Sequence, residues 1–137
     1  MRFTVNKVES VQRRFTNRLP GFHDMEYSAR LDKLNLQSLE YRRLVADLTL
    51  TYKIIFGLAD IDLNIYFRLK GPENARIRGN PYKIAVNQCR LNVRKNFFSE
   101  RVAVAWNSLP PSVVNFKSLR TFRRTIVNAN LRLFTKY

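Results

Sequence analysis

Ser38-Leu39-Glu40-Tyr41-Arg42-Arg43-Leu44-Val45-Ala46-Asp47-Leu48-Thr49-Leu50-Thr51-Tyr52-Lys53-Ile54-Ile55-Phe56-Gly57 is the stretch that decides the fold class. Tyr41, Leu44, Val45, Leu48, Tyr52 and Ile55 recur at helical steps, so a helix would gather them on one face that needs another surface to cover it. Ser38 offers a hydroxyl to the first free amides, and Gly57 suits the turn that closes such a helix. The pattern predicts a helix over 39–56.

The neighbouring segments on both sides repeat this helical logic. Towards the N-terminus, Val8, Val11, Phe15 and Leu19 fall at helical spacing with Lys7, Arg14 and Arg18 away from that stripe, and Pro20-Gly21 stops the run, predicting a helix over 4–18. A short helix near 26–34 would present Tyr27, Leu31 and Leu34. Towards the C-terminus, Phe98, Val102, Ala105, Trp106 and Leu109 share a face that Pro110-Pro111 must end, giving a helix over 97–108 with Asn96 as its cap. Ser118 then opens a final helix with Leu119, Phe122, Ile126 and Leu133 inward.

Between these helices the signals change. Asp60-Ile61-Asp62-Leu63-Asn64-Ile65 suits a turn, a short helix or a brief strand, and residues 69–81 are rich in chain breakers and read as a flexible loop. Tyr82–Val86 and Cys89–Val93 alternate about Asn87-Gln88, which predicts a small β-hairpin. The expected architecture is one mainly α domain over residues 1–137, small and helical, with a minor β-hairpin. Spacing assigns Tyr41, Leu44, Phe97, Phe98, Trp106 and Phe122 to the core.

Charge narrows the function. The chain has 25 Lys and Arg against 10 Asp and Glu, a formal net charge of +15 that repels itself unless an anion is nearby. Residues 1–73 hold 12 basic and 9 acidic side chains, net +3, whereas residues 74–137 hold 13 basic and only Glu100, net +12. A nucleic acid is the expected partner of the second half, because each phosphate neutralised by Lys or Arg releases counterions; a merely solvated basic surface is the alternative. Arg90, Arg94, Lys95, Arg120, Arg123 and Arg124 are the first contact candidates, with Arg13 and Arg14 next. The aromatic rings beside them are read as core, against the alternative that they stack on unpaired bases.

Other chemistries find little support. Asp60 and Asp62 form a close carboxylate pair, better suited to a solvated or capping turn than to metal ions. One histidine, His23, and one cysteine, Cys89, allow neither a Cys/His zinc cluster nor a disulfide framework, and no phosphate-loop glycine motif occurs. Neither a membrane-spanning run nor a signal-like apolar stretch is present. An intracellular protein, nuclear or cytoplasmic, without cofactor, small-molecule substrate or membrane partner, is expected.

Four phrases then stand in order: Val11-Gln12-Arg13-Arg14-Phe15-Thr16-Asn17-Arg18-Leu19-Pro20-Gly21; Leu39-Glu40-Tyr41-Arg42-Arg43-Leu44 with Thr51-Tyr52-Lys53-Ile54-Ile55-Phe56-Gly57-Leu58; Arg94-Lys95-Asn96-Phe97-Phe98-Ser99-Glu100-Arg101-Val102 with Val104-Ala105-Trp106-Asn107-Ser108-Leu109-Pro110; and Ser118-Leu119-Arg120-Thr121-Phe122-Arg123-Arg124. Together, over roughly residues 8–127, they resemble the C-terminal region that follows the polymerase domain in reverse transcriptases of jockey-like non-LTR retrotransposons. The resemblance implies a parent with endonuclease and RNA-directed DNA polymerase activities. It also implies that this chain is a non-catalytic fragment, since the polymerase's paired Asp-Asp and the endonuclease's acidic and histidine residues have no counterpart here. The role it implies is contact with template RNA, primer or target DNA; the alternative is a packing module for the missing polymerase thumb.

Overall fold

A computed structural model of the chain describes residues 2–71 and 79–136. Along the chain run α1 (Arg2–Asn17), α2 (Tyr27–Lys33), α3 (Leu39–Ile55), α4 (Leu63–Tyr66), α5 (Asn92–Lys95), α6 (Phe98–Asn107), α7 (Leu119–Ile126) and a 3-10 turn at Leu131–Phe134. The mainly helical class expected of the sequence is what the chain adopts. α3 is the spine: α1 packs on its N-terminal part, and α6 and α7 pack along the rest.

Local chemistry sets the boundaries of α3. Ser38 accepts a hydrogen bond from the Tyr41 amide at 3.1 Å, and Gly57 takes a φ of 66°, a left-handed conformation that costs glycine little. Tyr41, Leu44, Leu48 and Tyr52 are buried, in the cluster that also holds Val102, Ala105, Trp106, Leu109, Phe122 and Ile126. Trp106 is fully enclosed, its ring centroid 5.6 Å from Phe116 and 5.7 Å from Phe122. The indole's one donor is satisfied, since Nε1 donates to the Tyr82 carbonyl at 2.8 Å. Arg101 of α6 binds Asp47 of α3 at 2.7 Å, fixing the register of the two helices.

The expected hairpin does not form. Ile84 instead makes an isolated antiparallel bridge with Leu69, flanked by bonds from the Lys70 amide to the Lys83 carbonyl and from the Ala85 amide to the Arg68 carbonyl. The other edge of Ile84 is closed by a side chain: Asn107 Oδ1 accepts from the Ile84 amide and Asn107 Nδ2 donates to its carbonyl, both at 2.8 Å. With both edges taken, residues 89–93 have nothing to pair with there. Residues 92–95 turn into α5 instead, and Cys89 lies half-buried outside any strand. Of the loop read at 69–81, residues 72–78 lie outside the described residues.

Three further expectations change. Phe97 is the N-cap of α6 rather than a core residue, and its extended backbone turns the ring outward to 63% exposure. Asn96 ends α5 instead of capping α6. Leu133 is 76% exposed because α7 stops at Ile126; the chain restarts as a 3-10 turn that sends Leu131 inward. At residues 60–65 the open reading resolves to a helical turn, with the Asp62 carboxylate accepting from the Asn64 amide at 2.9 Å.

The largest departure concerns α1. Its inward side is polar: Glu9 and Thr16 are buried, while Val8, Val11 and Phe15 face outward. Glu9 accepts from the Tyr27 hydroxyl through one oxygen and from the Leu39 amide at 2.9 Å through the other, so it ties α1 to α2 and caps α3. Buried Arg30 donates to Asn17 Oδ1 at 2.9 Å and to the Met25 carbonyl at 2.6 Å. Arg13 and Arg30 lie over the Tyr27 ring, 4.9 and 5.6 Å from its centroid.

Two outcomes follow from this packing. Trp106→Ala removes the largest enclosed side chain, and calorimetry should show a loss of about 3–5 kcal/mol, whereas an unchanged melting temperature would contradict its central place. Burial, reinforced by the bond to Glu9, pushes the Tyr27 phenol well above its ordinary value of 10.0, and burial raises Tyr52 as well. Protonated phenols therefore contribute stability that is complete below that ordinary value and lost as pH rises above it. Melting temperatures from pH 8 to 11.5 should fall above the ordinary phenol value, less steeply in Tyr27→Phe; parallel curves would remove Tyr27 from the alkaline response.

Candidate nucleic-acid interface

The basic face of α7 is produced by its capping and its core contacts. Ser118 and Thr121 form a reciprocal capping box, the Ser118 hydroxyl accepting from the Thr121 amide at 3.2 Å and Thr121 Oγ1 accepting from the Ser118 amide at 3.1 Å. Phe122 and Ile126, four residues apart, are buried against α3 and α6. Helical geometry then sends Arg120, Arg123 and Arg124 to the opposite side, where all three are exposed. Arg123 and Arg124 occupy the last turn, where the helix dipole favours cations.

None of these three guanidiniums has a hydrogen bond or ion pair among the described residues, and exposed Lys117 stands just ahead of them. Several acidic groups are engaged elsewhere. Asp47 holds Arg101, Asp32 holds Arg132 at 3.2 Å, and Glu100 accepts from Asn87 at 2.9 Å. The positive field of the α7 face is thus not cancelled by a neighbouring carboxylate, an arrangement suited to gripping phosphate oxygens.

Arg90, Arg94 and Lys95 make a second basic group. Arg90 precedes α5, while Arg94 and Lys95 form its last turn, and all three are exposed without an ion-pair partner among the described residues. Phe97 lies outward two residues beyond Lys95. An outward ring beside cations is the composition on which unpaired bases stack, so the stacking alternative applies to Phe97 and not to Trp106 or Phe122, both of which are enclosed. By spacing Phe97 belongs to the core, because it abuts the stripe of Phe98 and Val102; its neighbours Arg94-Lys95-Asn96 are the signal for the other reading.

The second-choice residues separate. Arg13 is half-buried over the Tyr27 ring and belongs to the α1–α2 junction, whereas Arg14 is exposed on the outer side of α1. His23 pairs with Asp24 at 3.1 Å on the surface. A cleft of about 310 Å³ between the start of α3 and the C-terminal turn is lined by Leu31, Asp32, Tyr41, Leu131 and Arg132, none of them in either basic group. No group of three His, Cys, Asp or Glu among the described residues is placed to hold a metal ion, and no described helix is long and apolar enough to cross a membrane.

Set against known proteins, the chain matches no family model, no curated protein and no solved structure.

Proposed function

We propose that this chain is a non-catalytic nucleic-acid-binding module from the post-polymerase region of a jockey-like non-LTR retrotransposon reverse transcriptase, acting inside the cell. One observation carries the binding reading: Arg120, Arg123 and Arg124 stand on one outward face with no carboxylate bound to them among the described residues. Arg90, Arg94 and Lys95 add a second cationic group, and the exposed Phe97 ring beside it favours unpaired bases over a closed duplex. The parentage rests on the four ordered phrases of the sequence. In such a parent the module would hold template RNA or target DNA beside a polymerase that supplies all the chemistry.

The second reading, a packing module without binding of its own, draws support from a different feature: the apolar stripe that α1 turns outward. The two readings concern separate surfaces and are separable by experiment.

Binding of the full chain to fluorescent single-stranded RNA, single-stranded DNA and hybrid duplex across a salt series tests the proposal. If all six basic residues meet phosphates, log K should fall against log salt with a slope of about −4 to −5. Arg120, Arg123 and Arg124 changed together to Ala should flatten that slope by about 2–3 while leaving the melting temperature unchanged, since exposed, unpaired side chains contribute little to stability. No binding at low salt by a folded chain, or an unaltered slope in the triple variant, would overturn it.

A further inference from the structure

α1 carries a surface that the nucleic-acid reading does not use. Val8, Val11 and Phe15 are 53%, 68% and 63% exposed, three apolar side chains at steps of three and four on a helix whose opposite side is already buried. Isolated apolar residues on a surface are ordinary, but a row at this spacing is the narrow seam that one helix presents to another.

Charge defines what fits the seam. Steps of three then four place Val8, Val11 and Phe15 at the a, d and a positions of a heptad, which puts Lys7 and Arg14 at the flanking g positions, both exposed. Arg18, four residues on from Arg14, is exposed just past the end of α1. The other flank holds Gln12, whose Oε1 accepts from Arg42 of α3 at 3.0 Å and whose Nε2 donates to the Gln37 carbonyl at 3.1 Å, so the Arg42 cation borders that side. Glu9, the one acidic residue of α1, is buried inward and cannot offset these charges.

The row is one side chain wide between cationic borders, too narrow for the broad apolar face with which a helix lies in a lipid interface. A second copy is disfavoured, because an antiparallel seam would set Lys7 and Arg14 against themselves and both chains carry a net +15. We infer that the outer face of α1 is a docking seam for an amphipathic helix of another protein segment, apolar along its contact line and flanked by Asp or Glu. The surface is distinct from Arg120, Arg123 and Arg124, and the inference stands whether or not those residues bind nucleic acid.

The test uses the full chain and three probes: a helical peptide with Leu at its seam and Glu on both flanks, the same peptide with Lys on the flanks, and vesicles containing phosphatidylserine. The Glu-flanked peptide should bind at least about tenfold more tightly than the Lys-flanked one. Val11→Ser with Phe15→Ser should weaken that binding at least about tenfold, circular dichroism confirming an intact fold, because the substituted residues are exposed. Lys7→Glu with Arg14→Glu should reverse the preference between peptides. Equal binding of the two peptides, binding that survives the seam variant, vesicle binding without peptide binding, or no binding at all would each overturn the inference.

Discussion

Enclosure of Trp106 is the constraint on which the rest of the structure depends. The side chain sits where α3, α6 and α7 meet, and its indole cannot be enclosed unless Nε1 finds an acceptor. The Tyr82 carbonyl supplies it, so burying the ring also pins the irregular segment around residues 80–85. Two asparagines extend the same attachment: Asn80 Nδ2 donates to the Trp106 carbonyl at 3.1 Å, and Asn107 holds both polar groups of Ile84. A connection with one β-bridge among its described residues is thereby fixed by side-chain amides that take the place of a second strand.

The N-terminal part is held differently. α1 and α2 meet through Glu9, Tyr27, Thr16 and Arg30, a buried polar network rather than an apolar core. Such a network is favourable only when its members are satisfied, and here the acid caps a helix while the Arg13 and Arg30 guanidiniums lie over the Tyr27 ring. The consequence lies on the opposite side of the helix. Because α1 is anchored by polar groups, its apolar row is left facing solvent, available to something outside the chain.

That inversion marks where sequence reading runs out. Helix α3 was legible because its stripe, its Ser38 cap and its Gly57 terminus all point to the same element, and in α7 the Ser118 cap and the Leu119, Phe122 and Ile126 spacing put Arg120, Arg123 and Arg124 away from the core. The orientation of α1 was not legible, since an apolar stripe ordinarily marks the core side, and the partners of Glu9 lie 18 and 30 residues away. The hairpin failed for a similar reason: local alternation around Asn87-Gln88 cannot reveal that Ile84 bridges Leu69 and the side chain of Asn107. Arg13 and Phe97 exchanged environments relative to expectation, one drawn onto a ring and the other turned outward, because each sits at the edge of its helical stripe.

The proposed interface would place phosphate at two particular basic groups and leave the outer face of α1 untouched. Site-resolved NMR of the labelled full chain, titrated with a single-stranded RNA oligonucleotide at low salt, tests it most directly. Chemical-shift changes should be confined to residues 117–124 and 90–97, with Val8, Val11 and Phe15 unmoved. Shifts spread evenly over every cation, or concentrated on α1, would contradict it.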